Sequence, residues 1–204
     1  MPAGRADTRP QSGMALVTCL ALLAAVMILG SAAADMATQG ERGARMDRDR
    51  HLAFQSAEAA LRDAEREIEG NDSLSAGRKA MFARPDQSGF IAGCGAGDAN
   101  PAQGLCLASA RDPAWVSVDL ADRQPGSSRS VAYGRFTGQR LTTGVSSLPA
   151  RLPRYIIEAL PFRFAGAAAD SGRMSWSFRI TAIGFGANAA TRVVLQTVYR
   201  PEPG

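Results

Sequence analysis

The sequence predicts an α+β fold: a long N-terminal helix, membrane-spanning in its first half and amphipathic in its second, packed against an antiparallel β-sheet. Three observations carry this. Met14 to Ala34 is a run of 21 residues without a formal charge. No proline interrupts the chain between Gln11 and Arg84, so a helix begun in the apolar run can continue into the charged stretch behind it. The distal half contains segments that alternate apolar and polar residues, a period of two that belongs to strands.

Residues 1–13 form a short polar leader carrying Arg5 and Arg9. Positive charge ahead of an apolar run keeps that end cytoplasmic. The run itself, residues 14–34, is about 31 Å long as a helix, which matches a bilayer core. Its Thr18 and Ser31 can bond to backbone carbonyls within the helix. Cys19 lies inside it as a small hydrophobe. An alternative is an ordinary secretory signal, because Ala32-Ala33-Ala34 before Asp35 fits a small-residue cleavage pattern and would release a secreted or tethered binding module. A lipoprotein signal at Cys19 fails, because the apolar run follows the cysteine instead of preceding it.

Residues 35–70 turn polar but keep helical spacing. Phe54, Ala57, Leu61, Ala64 and Ile68 recur at intervals of three and four and make one apolar stripe, with charge elsewhere. The stripe needs a surface laid along it, and the sheet of the same chain is the candidate. The Asp and Glu residues here, and the lone His51, are expected on a solvated face. Gly70-Asn71 is a plausible stop.

The remaining residues, 71–204, form one β-rich head. Residues 71–112 are expected to be irregular, with a short helix near Arg78–Phe82. Strands are expected at Trp115–Leu120, Val131–Phe136, Tyr155–Leu160, Trp176–Ala182 and Thr191–Tyr199. In Trp176–Ala182, Trp176, Phe178, Ile180 and Ala182 share a face and Ser175, Ser177, Arg179 and Thr181 the other, so one face should be buried and one wet. Gly184 to Asn188 is turn chemistry. Cys94 and Cys106 stand twelve apart. A disulfide between them is expected if the head lies outside the cytoplasm, as the anchor implies; in a cytoplasmic head they would be free buried thiols.

Composition bounds the function. Residues 35–70 hold six Arg against nine Asp or Glu, and residues 71–204 hold fifteen basic against nine acidic residues. The head is basic, but its arginines are scattered, and no nucleic-acid partner is expected. No catalytic constellation stands out. One histidine provides neither a hydrolase triad nor a histidine-rich metal site. The glycines around Cys94 lack the preceding strand and following Lys-Ser/Thr of a phosphate loop. Asp86, Asp98, Asp112 and Asp122 lack the spacing of a calcium loop. No cofactor is expected. A carboxylate pair brought together by the fold is the one enzymatic route left open.

A resemblance runs over nearly the whole chain. Gly13-Met14, Arg48-Asp49-Arg50, Leu52-Ala53-Phe54-Gln55, Ala57-Glu58-Ala59-Ala60-Leu61-Arg62, Gly104-Leu105-Cys106, Tyr133-Gly134, Pro153-Arg154-Tyr155-Ile156-Ile157-Glu158, Phe178-Arg179-Ile180-Thr181-Ala182 and Val193-Val194-Leu195-Gln196 resemble, in order, the PilX family of type IV pilus minor pilins. The resemblance implies a pilin-like fold and cleavage after Gly13 by a prepilin peptidase, with methylation at Met14. It implies a subunit that waits in the inner membrane with its head in the periplasm, then joins a fibre. It also implies a role in priming assembly at the fibre tip, with other minor pilins, the major pilin and a large calcium-binding tip adhesin as partners. Counted from Met14, the fifth mature position is Thr18, where most pilins carry a glutamate that meets the terminal ammonium of the subunit above. That position has no charge here, as the family tolerates.

Overall fold

The computed structural model describes residues 13–70, 76–84, 86–109, 112–144, 147–162 and 175–201. The chain divides into two units, residues 1–47 and 48–204, and helix α1 (Met14–Glu69) contributes to both.

In the first unit every described residue from Met14 onward is helical. The large apolar side chains between Met14 and Leu29 stand in the open, the least exposed being Leu20 at 58%. The helix is long and apolar enough to cross a membrane, with a mean hydropathy of 2.4 over its most apolar window.

In the second unit the C-terminal part of α1 packs against a five-stranded mixed sheet. Its strands are β1 (Leu105–Leu107), β2 (Val131–Ala132), β3 (Arg154–Phe162), β4 (Ser175–Phe185) and β5 (Arg192–Tyr199). The order is β1-β3-β4-β5, and β2 pairs with β3 beyond the end of β1. The pairs β3–β4 and β4–β5 are antiparallel. β1 runs parallel to β3, with Leu105 against Ile157, and this makes the sheet mixed where the sequence predicts it purely antiparallel.

One face of the sheet presents Tyr155, Ile157, Ala159, Phe178, Ile180 and Ala182, which pack with Ala60, Ala64 and Ile68 of α1. Helix α2 (Ala76–Phe82) adds Phe82, whose ring meets Phe178 edge-on at 5.4 Å. The opposite face is not uniformly wet, which corrects the expectation for Trp176–Ala182. Ile156, Ile183 and Phe185 are buried there beneath Cys94, Cys106, Ala114, Val118 and Leu120. Thr181 on that face is only 1% exposed.

Trp115–Leu120 is not a strand. It begins in a short helix, α3 (Ala114–Ser117), whose first backbone N–H donates to the buried Glu158 carboxylate at 2.7 Å. That tertiary partner satisfies an orphan helix donor and overrides the β propensity of Trp and Val. Within Val131–Phe136 the strand stops after Ala132. Gly134 has φ +75°, and a Cβ there would fall 1.9 Å from the Gln139 carbonyl oxygen, so the chain turns where only glycine fits. β4 runs on through Gly184 and Phe185, and the turn begins after them. α1 ends at Glu69, followed by Gly70 with φ +62° and its N–H on Arg66 O at 3.0 Å; Asn71 lies outside the described residues.

Candidate assembly site

Gly13 has φ +73°, and α1 starts at the next residue, so the Gly13–Met14 bond sits at the helix boundary with Met14 76% exposed. Four residues on, the Thr18 hydroxyl donates to Ala15 O at 3.0 Å. Ser31 does the same to Ile28 O at 2.9 Å. Both hydroxyls are thereby satisfied inside the helix, as a lipid environment requires. Cys19 is a free, exposed thiol.

Along the stem the buried side chains are Ala53, Ser56, Ala57, Ala60, Asp63, Ala64, Glu67 and Ile68. Of the residues expected to pack, Ala57 and Ala64 are fully buried and Ile68 nearly so, while Leu61 is half-buried against the core. Phe54 is 41% exposed. The reason lies under the helix: a Cβ on Gly184 would fall 2.2 Å from both Ala53 O and Ala57 N. Helix and sheet backbones approach too closely there for an aromatic ring, so the contact stripe is centred on alanines and Phe54 lies beside it.

The same stripe carries two carboxylates that sequence reasoning places on the solvated face. Glu67 and Asp63 are fully buried. Glu67 Oε1 lies 2.6 Å from Arg78 Nη2, and its Oε2 accepts from the Tyr155 hydroxyl. Arg78 also donates to Pro101 O and Gln103 O at 2.8 and 2.9 Å and stacks on Phe136 at 3.8 Å. One guanidinium thus joins α1, α2, the segment after Cys94 and the segment after β2. Burial pushes the Glu67 carboxyl up against the opposing pull of Arg78, and pushes the Arg78 guanidinium down. Burial likewise holds the Tyr155 phenol well above its usual range, so it stays a donor. Asp63 accepts from the Thr137 hydroxyl and, at 2.7 Å, from Gly134 N–H.

On the other face Glu158 is gripped by Arg179 through two contacts of 2.9 and 3.0 Å. Arg154 donates to the hydroxyls of Ser130 and Ser128, both at 2.7 Å. The signal for these partners was periodic: Asp63 and Glu67 share the spacing of Ala60 and Ala64. Their mates, Arg78 and Tyr155, lie in other elements and leave no local trace.

Cys94 and Cys106 are joined by a disulfide. It fastens the loop to β1, where Ile91 bridges Cys106 and Gly95 bridges Gln103. Cys94 has φ +73° between the glycines Gly93 and Gly95, and a Cβ on Gly95 would fall 2.0 Å from Ala102 O. The glycines therefore serve a tight crossing.

An open hollow of about 490 Å³ is lined by Ala121, Asp122, Arg123, Gln124 and Arg151, a polar surface without a carboxylate pair. Among the described residues no group of three His, Cys, Asp or Glu side chains comes together as metal ligands would. His51 is exposed on α1.

A long N-terminal apolar helix whose C-terminal part is packed on a small mixed sheet is a pilin-like α+β arrangement. The family comparison agrees with it at both ends. The PilX N-terminal model matches residues 12–62, and that of the C-terminal part of the type IV pilus assembly protein PilX matches residues 94–201. The chain belongs to the PilX family of type IV pilus assembly proteins. No curated protein and no solved structure matches it. The family is structural rather than catalytic, and its pilus association fits the membrane-length apolar helix.

Proposed function

We propose that this chain is a minor pilin that primes type IV pilus assembly and takes a position at or near the fibre tip. A prepilin peptidase cuts after Gly13, and the new terminus at Met14 is methylated. Residues 14–34 hold the subunit in the inner membrane, residues 35–70 form the stem, and residues 71–204 stand in the periplasm until assembly. Its partners are other minor pilins, the major pilin and a large tip adhesin.

The observation that carries the tip position is Thr18. Its side chain is neutral, and its hydroxyl is engaged with Ala15 O. It offers no carboxylate to the terminal ammonium of a subunit above, a charge-assisted contact that is strong only in a low-dielectric fibre core. A subunit at the tip has no such neighbour to meet.

Mass spectrometry of the protein from native membranes or sheared fibres tests the processing. A terminus at Met14, heavier by a methyl group, is expected. A terminus at Asp35 would mean an ordinary signal and a released product. Site-specific crosslinking from Thr18 then tests position: crosslinks to major pilins on both sides along the shaft would refute the tip.

A further inference from the structure

Among the described residues β5 pairs only with β4 and is the last strand of its sheet. The register is one-to-one from Phe185↔Arg192 to Phe178↔Tyr199, so no bulge twists the edge away. Gly186 N–H donates to Thr191 O at 2.9 Å. The alternation of an antiparallel ladder then turns the backbone N–H and C=O groups of Arg192, Val194, Gln196 and Val198 away from β4. The side chains of these four residues are exposed, Val194 by 51% and Val198 by 54%. Free edges are usually blunted by a proline, a bulge or a central charge. Between Arg192 and Arg200 there is none of these.

Charge selects the occupant. β4 and β5 contain no Asp or Glu. Arg192 and Arg200 stand at the two ends of the edge, both exposed and neither in an ion pair among the described residues; the Arg200 guanidinium lies back across β4, 3.9 Å from the Phe162 ring centre on β3, and must leave that ring to meet a strand added at the edge. A second copy fits poorly. In a two-fold antiparallel pairing centred on Gln196, Arg192 of each copy faces Arg200 of the other, and like charges directly opposite are destabilising. Centring on Leu195 sets Arg192 against Val198 and gains no charge pairing.

We infer that the β5 edge docks an extended segment of a different protein as an added strand, one with acidic residues eight apart flanking an apolar, β-branched core. The added strand takes up the outward backbone groups, its side chains cover Val194 and Val198, and its two carboxylates meet Arg192 and Arg200. This stands whether or not the chain is cut after Gly13, because it concerns β5 alone.

The test uses the full chain in detergent micelles with two synthetic peptides of about nine residues, alternating valine and threonine, one ended by aspartates and one by arginines. Amide hydrogen exchange is followed at Arg192, Val194, Gln196 and Val198. The acid-ended peptide should slow exchange at these amides and bind about tenfold more tightly than the arginine-ended one. Replacing Arg192→Glu together with Arg200→Glu should reverse that preference. Val198→Pro removes an N–H that does not bond β4, so the fold should persist while protection by either peptide is lost. Equal binding of the two peptides, no protection from either, or protection that rises with protein concentration alone would each overturn the inference; the last would show self-pairing.

Discussion

Arg78 Nη2 lies 2.6 Å from Glu67 Oε1 with the two side chains 3% and 0% exposed, so α2 is held to the stem by a desolvated ion pair. Such a pair adds little net stability over apolar groups of similar size, yet removing one member strands the other. Glu67→Leu should therefore destabilise the protein by about 3–5 kcal/mol. Glu67→Leu combined with Arg78→Met should cost less than Glu67→Leu alone. Denaturant unfolding of both single variants and the double variant checks this, and additive effects would contradict it.

Gly184→Ala should be among the most damaging small substitutions in the chain. Its methyl group would meet the backbone of Ala53 and Ala57, which cannot rotate aside. The expected loss is about 3 kcal/mol by overpacking. Gly43→Ala is the control, since an added Cβ there meets nothing within 4 Å and helix propensity improves by up to about 1 kcal/mol. Thermal melts of the two variants should shift in opposite directions.

Replacing Cys94 and Cys106 together by serine should lower stability by about 2–3 kcal/mol, the amount associated with closing so short a loop. The signature is selective. Far-UV dichroism should keep the helical signal of α1, while the melting temperature falls to that of the wild type under reductant. Equal melting with and without reductant would show that the staple carries no load.

Asp49 sets a pH dependence. The Thr191 hydroxyl holds its carboxyl below the usual range, helped by the Asn188 and Ala187 backbone N–H groups and opposed by partial burial. A carboxyl lowered on folding contributes stability that is present above its unfolded value, about 3.9, and is lost as pH falls through the folded value. Asp49→Asn should thus melt lower than the wild type near neutrality, and the difference should close as pH falls through the folded value of the Asp49 carboxyl. A gap that is constant with pH would rule out the carboxylate.

What could be read in advance follows physical range. The apolar run, the stem period and the strands around Tyr155, Ile180 and Leu195 are local patterns, and each resolves into the expected element. Of the stripe only Phe54 departs, standing beside the contact while Ala53 takes its place, because Phe54 outweighs alanine on any hydrophobic scale; the decisive fact is Gly184, more than a hundred residues away. Trp115–Leu120 has the composition of a strand because propensity is local, while the Glu158 carboxylate that caps α3 is not. β1 leaves no local signal for a related cause: its short Leu-Cys-Leu core becomes a strand only where Ile157 and the disulfide loop hold it. Buried charge was the least legible part, since Asp63 and Glu67 differ from their solvated neighbours only in phase.

The alanine seam has a consequence for sequence drift. Ala53 and Ala57 face the sheet where no further atom fits, so a larger residue at either would push helix and strand apart. Glycine, the one smaller choice, would weaken the helix by about 1 kcal/mol. The contact works as a gauge that reads volume and ignores chemistry. Variation among descendants of this chain should be driven off the seam and onto surfaces such as those of Phe54 and Val194, where a changed side chain alters what the subunit touches without altering how it is built.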